Sequence, residues 1–113
     1  MRTVFVTLVS AALATSVVMA QDAAKVAAGE KAYAAQKCSV CHQIAGKGNK
    51  SSPLDGVGKK LSEADIRGWL TNTAAMEAKL PTKPKMSMAA AMKSKKLSDA
   101  DVDALTAYLM SLK

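Results

Sequence analysis

Reactive side chains are scarce in this chain: 113 residues hold one histidine and two cysteines. With no second histidine there is no imidazole pair for acid–base work, and no acid–base constellation of the kind hydrolases and lyases use stands out. Aromatics are scarce too, with one Phe, one Trp and two Tyr. Phe5 falls in the apolar amino-terminal run, which leaves Tyr33, Trp69 and Tyr108. A base-stacking surface needs aromatics interleaved with cations, and here the lysines are scattered from Lys25 to Lys113 without them, so nucleic acid is not an expected partner. Also missing is any run of alternating β-branched residues, which leaves helices as the regular structure.

Long apolar runs are confined to the start. Met1-Arg2 is basic, the stretch from Val4 to Val18 is almost wholly apolar or small, and Val18-Met19-Ala20 is a small-x-Ala ending. Residues 1–20 therefore read as a secretory signal cleaved after Ala20, and 21–113 as one small domain in the periplasm. An uncleaved anchor is the alternative, but the run is short for a bilayer and Gln21-Asp22 follows at once. No stable membrane insertion is expected after cleavage, and no Cys follows the cut to carry a lipid. A domain of this size is marginal on burial alone and often relies on a disulfide, a metal or a cofactor.

Sixteen basic residues face nine acidic ones, a formal net charge of +7 that falls by one with Arg2. A basic docking face for an acidic protein partner is one reading, and a soluble lysine-covered helical surface is the other.

Helical periodicity covers about 23–36, with Val26, Gly29 or Glu30, and Tyr33 on one stripe. Gly46 to Pro53 is a loop by composition, and turn chemistry continues through Asp55-Gly56-Val57-Gly58. Ser62-Glu63-Ala64-Asp65 reads as an N-cap opening a helix to about Thr71, with Ile66, Trp69 and Leu70 on one face. A short helical piece around 74–79 follows. Pro81 and Pro84 break the pattern, so Pro84 to Met88 is expected extended or looped, with a possible helical turn at Ala89-Ala90-Ala91. Ser98-Asp99-Ala100-Asp101 repeats the cap, and Val102, Leu105, Leu109 and Leu112 recur at helical spacing to the end. A single all-α domain results.

All three scarce side chains fall in Cys38-Ser39-Val40-Cys41-His42. A thioredoxin-like redox site would end a strand, and none is expected. A structural zinc site is one ligand short unless a carboxylate or a second chain contributes. A disulfide across two residues closes too small a loop to stabilise much. The adjoining histidine favours a fourth reading, because Cys-x-x-Cys-His is the c-type haem attachment pattern. Two thiols on one turn reach two porphyrin vinyl groups as thioethers, while the next side chain offers an imidazole to the iron.

With these residues in view, the chain from the end of the signal to Lys113 resembles a class I cytochrome c. The resemblance implies an all-α fold of three to five helices around one haem c, bound covalently through Cys38 and Cys41, with the first and last helices crossing at Gly29, Tyr33 and Tyr108. His42 would be one axial ligand. Pro53-Leu54 is similar to the family's Pro-Leu segment, in which the Pro53 carbonyl would accept the His42 N–H and Leu54 would pack on the ring. Trp69 matches an aromatic that hydrogen-bonds a haem propionate, and is equally readable as a core residue.

The resemblance also implies a methionine sulfur opposite His42, from an extended loop before the last helix. Met88 is the expected ligand and Met86 the alternative, with Met92 behind them, whereas Met76 and Met110 read as core. No Met-Pro is present here, a departure from the usual pattern.

The implied function is a soluble periplasmic one-electron carrier and not an enzyme. It would work through an exposed haem edge, with Lys37, Lys47, Lys85 and Lys93 steering it onto redox partners bearing acidic patches. The alternatives are a haem subunit of a larger periplasmic oxidoreductase, and a five-coordinate haem enzyme or gas sensor.

Overall fold

The computed structural model describes residues 13–113, with side-chain surroundings from Asp22 onward; the first twelve residues of the expected signal lie outside the described residues. Helix α1 spans Leu13–Ala35, a 3-10 turn spans Cys38–Val40, and β1 (Gln43–Ile44) pairs antiparallel with β2 (Lys47–Gly48). Then come α2 (Val57–Lys60), α3 (Glu63–Thr71), α4 (Thr73–Ala78), α5 (Met88–Met92) and α6 (Asp99–Ser111). No helix among the described residues is long and apolar enough to cross a membrane.

The two best-signalled helices form as their caps dictate. Ser98 Oγ accepts the Asp101 N–H at 3.1 Å while the Asp101 carboxylate accepts the Ser98 N–H at 3.1 Å, a reciprocal capping box. It satisfies two otherwise orphaned donors and contributes about 1 kcal/mol. Ser62 does the same for α3, accepting the Asp65 N–H at 3.1 Å. One face of α6 then buries Val102, Leu105 and Leu109, and α3 supplies Ile66. Full burial of a side chain such as Leu105 stabilises by about 2 kcal/mol.

The crossing of α1 over α6 requires a residue without a side chain. A Cβ at Gly29 would run into the Ala104 carbonyl oxygen and the Tyr108 Cβ. The close approach sets Tyr33 edge-on to Tyr108, with ring centroids 5.9 Å apart and planes at 68°, a geometry that aligns ring edge with ring face. At the other end of α6, the Gly58 N–H of α2 donates to the Leu112 carbonyl at 2.8 Å.

The structure departs from the sequence expectations in four places. Helix α1 begins at Leu13, ahead of the expected start near residue 23, with no Gly or Pro between Leu13 and Gly29 to break it. The described helices number six, more than three to five, since α2 and α5 are one-turn pieces in segments read as turn and loop. Two-residue strands appear where no strand was expected; they are a tight hairpin around Ala45 and Gly46, both at positive φ. Met88 opens α5 instead of ending an extended stretch, because Ser87 (φ −77°, ψ 116°) supplies an N-cap and accepts the Ala90 N–H at 3.2 Å.

Candidate functional site

The geometry of the cysteine cluster starts at the end of α1. Lys37 takes the left-handed conformation (φ 56°, ψ 39°) and turns the chain out of the helix into the 3-10 turn. The Cys41 and His42 N–H groups then both donate to the Cys38 carbonyl, at 3.1 and 3.0 Å. Those two bonds fold positions 41 and 42 back over 38, so both thiols and the imidazole belong to one turn. Cys38 and Cys41 are unpaired and half-buried.

The turn is held from outside by residue 49. The Asn49 N–H donates to the Ser39 and His42 carbonyls, each at 3.1 Å, and its Nδ2 donates to the Val40 carbonyl at 3.0 Å. Gly48 makes this approach possible: its φ is +105°, and a Cβ there would strike the His42 carbonyl oxygen. The Tyr33 hydroxyl donates to that carbonyl as well, at 3.4 Å. Burial is the main cause pushing the Tyr33 phenol up to about 12, with Cys38 adding to it, so it stays protonated and able to donate through the physiological range.

His42 is presented as a neutral ligand. Its Nδ1 lies 3.1 Å from the Ser52 carbonyl oxygen, which places the proton on Nδ1 and leaves the Nε2 lone pair free. Burial holds its pKa below the ordinary histidine value, only partly offset by that hydrogen bond. The carbonyl that orients His42 therefore belongs to Ser52 and not, as the resemblance implied, to Pro53. The reason lies in the backbone: Gln43 bridges Pro53 in parallel fashion, donating to the Ser52 carbonyl at 3.2 Å and accepting the Leu54 N–H at 2.8 Å. Such a bridge uses the groups flanking residue 53, so the missing proline N–H costs nothing and the Ser52 oxygen is the one aimed at the turn.

The surroundings of Cys38 do not favour a redox dithiol. A catalytic Cys-x-x-Cys lowers the pKa of its attacking cysteine, whereas burial pushes the Cys38 thiol up, against an opposing field from Lys95. A zinc site also lacks its donors: among the described residues no group of three or more His, Cys, Asp or Glu side chains gathers as a metal site would need.

The methionine segment is anchored separately. Glu77 of α4 accepts the Ser87 hydroxyl at 3.1 Å and the Ala89 N–H at 3.0 Å, both on Oε2. Downstream of α5, Lys95 Nζ donates to the Gln36 carbonyl at 2.5 Å. That contact ties the segment to Gln36, just past the end of α1 and two residues before Cys38. Met88 is half-buried as the first residue of α5 and Met92 is half-buried as its last, while Met86 is 63% exposed. Met76 packs on α3, its Sδ filling the space over Gly68.

Of the remaining expected residues, Leu54 is half-buried beside the turn that carries His42, and Pro53 is exposed. Trp69 is half-buried on α3, its carbonyl accepting the Thr73 hydroxyl at 2.7 Å. Sequence reasoning missed Asn49, Gly48, Ser52, Glu77 and Lys95. Asn49 and Gly48 were visible only as loop composition, and Glu77 and Lys95 act over distances that periodicity does not register.

The residues present fit a covalently held haem c. Two unpaired thiols are available for two thioethers, a neutral imidazole offers Nε2, and Val40 between the cysteines keeps 65% of its surface exposed, apolar area that a flat apolar group can use. Residues 26–113 match the family model described as Cytochrome c. No curated protein and no solved structure matches the chain significantly.

Proposed function

Because the chain belongs to the cytochrome c family, we propose that it is an exported one-electron carrier whose haem c is held between His42 and Met88. The family implies covalently bound haem c and haem-based electron transfer. The observation that carries the reading is the single turn bearing Cys38, Cys41 and a His42 whose proton sits on Nδ1. When bound, the haem supplies an iron that cycles between two oxidation states.

The chain's own residues supply the rest. Cys38 and Cys41 tether, so the cofactor does not dissociate between encounters. His42 binds through Nε2 while Ser52 fixes its ring and raises its basicity. Met88 would hold the haem through its thioether, a soft donor that would favour the reduced form and leave less room for exogenous ligands. Leu54 and Trp69, both half-buried, would supply apolar surface to the haem's surroundings. Lys37, Lys47, Lys85 and Lys93 are exposed, which supports their role in steering toward acidic patches on donor and acceptor proteins. Export is part of the same proposal, since c-type haem is attached outside the cytoplasm; the family match starts at residue 26, beyond the proposed cleavage after Ala20.

Optical spectra of the purified protein, oxidised and reduced, test the reading. Covalent haem with a sulfur–iron charge-transfer band in the oxidised form, and no carbon monoxide binding when reduced, is the expected result. A pentacoordinate spectrum with rapid carbon monoxide binding would replace the carrier by a haem enzyme or sensor. The mass of the secreted chain checks the leader: it should equal residues 21–113 plus one haem.

A further inference from the structure

We propose that Glu77 is a positioning residue for Met88, holding the thioether at a fixed place relative to the haem; the proposal rests on the reading of Met88 as the sixth ligand. One carboxylate oxygen, Glu77 Oε2, accepts the side chain of the residue before Met88 and the backbone N–H of the residue after it, at 3.1 and 3.0 Å. Two bonds that straddle a residue fix both its Cα position and its direction of projection. The carboxylate is half-buried, and among the described residues it forms no ion pair: the salt bridges there are those of Arg67 with Glu63 and Asp103. Its polar partners are these two donors.

The arrangement makes chemical sense of a sequence departure. Where no proline follows the ligand to stiffen its backbone, Ala89-Ala90-Ala91 continues instead as a single turn of helix, too short to stand on its own. Two of its orphaned N–H groups are satisfied from outside, Ala90 by the Ser87 hydroxyl and Ala89 by Glu77. Since Ser87 in turn donates to Glu77, the carboxylate anchors the whole turn to α4. Losing that anchor lets the turn, with Met88 at its head, move off the iron.

The experiment compares E77A, E77Q, S87A and M88A in the haem-loaded protein. Each is read by the sulfur–iron charge-transfer band and by the rate of carbon monoxide binding to the reduced form, with far-UV circular dichroism alongside. Charge-assisted hydrogen bonds of this kind set the expected size. E77A should weaken the band and raise carbon monoxide binding about tenfold at unchanged helix content. E77Q, which still accepts and donates at the same place, should stay within about threefold of the parent, and S87A should fall between. If M88A abolishes the band while E77A and S87A leave band and rate unaltered, Glu77 is a helix anchor only and the proposal is overturned. If the band survives in M88A, the ligand reading itself fails and takes the proposal with it. Should E77A not fold, the S87A and E77Q rates decide, and parent-like values for S87A overturn it.

Discussion

The two sides of the site are built on different principles. The histidine side, residues 38 to 54, is held by backbone groups close in sequence: the Cys38 carbonyl takes two N–H bonds, Asn49 reaches three carbonyls of the turn, and the Ser52 carbonyl takes the His42 Nδ1–H and the Gln43 N–H. The methionine side is held by two long side chains that bridge distant parts of the chain, Glu77 reaching it from α4 and Lys95 reaching from it to Gln36 beyond the end of α1. A backbone clamp of many short bonds loses little when one member goes. A pair of side-chain anchors loses half. The first arrangement suits a permanent attachment, and the second suits the role proposed for Met88, a ligand whose hold could be adjusted without disturbing the fold.

The largest expected effect is on the histidine side, at a glycine that combines a positive φ with a close backbone contact. Gly48→Ala places a Cβ against the His42 carbonyl oxygen at a φ of +105°, combining backbone strain with overpacking against atoms that cannot move aside. A loss of about 3–5 kcal/mol is expected from the two together, read as a lowered urea midpoint for the purified protein. A variant within about 1 kcal/mol of the parent would show that the clamp is looser than its geometry. Asn49→Ala should cost less. It removes the Nδ2 bond to Val40 and the Oδ1 acceptor of the Ser51 N–H, but keeps the backbone N–H shared by Ser39 and His42. These bonds are exposed, so about 1 kcal/mol is expected, with the charge-transfer band unchanged because the iron's ligands stay in place.

The same contrast explains what the sequence made legible. The elements with a local signal were readable: the capping box at Ser98, the cap at Ser62, the apolar stripe of α6 and the Gly29 crossing with Tyr33 and Tyr108. The motif at residues 38–42 was readable because its spacing is its chemistry. Ser52 in place of Pro53 was missed because which carbonyl faces an imidazole depends on bridge register, a tertiary fact that a Pro-Leu pair does not encode. Helix α5 was read only as a possible turn, since Pro84 and the residues around it favour extended backbone while the stabilising carboxylate lies ten residues upstream of its cap. Glu77 and Lys95 look like any solvated charge in a basic helical chain until the fold brings them to their carbonyl and amide partners.

The smallest expected effect sharpens the comparison most. Lys95→Met keeps the apolar stem but deletes the Nζ–H bond to the Gln36 carbonyl at the end of α1. A cation on helix C-terminal carbonyls is worth about 0.5–1 kcal/mol, so the urea midpoint should move little. Lys95 nevertheless closes the downstream end of the segment whose upstream end Glu77 holds, and Met88 lies between them. If the two anchors restrain one loop, losing the second matters more once the first has gone. The single K95M variant should then raise carbon monoxide binding by less than about threefold, and the E77A/K95M double variant should exceed the product of the two singles. Simple multiplication would mean that each anchor holds its own end independently, and that the methionine side, like the histidine side, is a sum of local restraints.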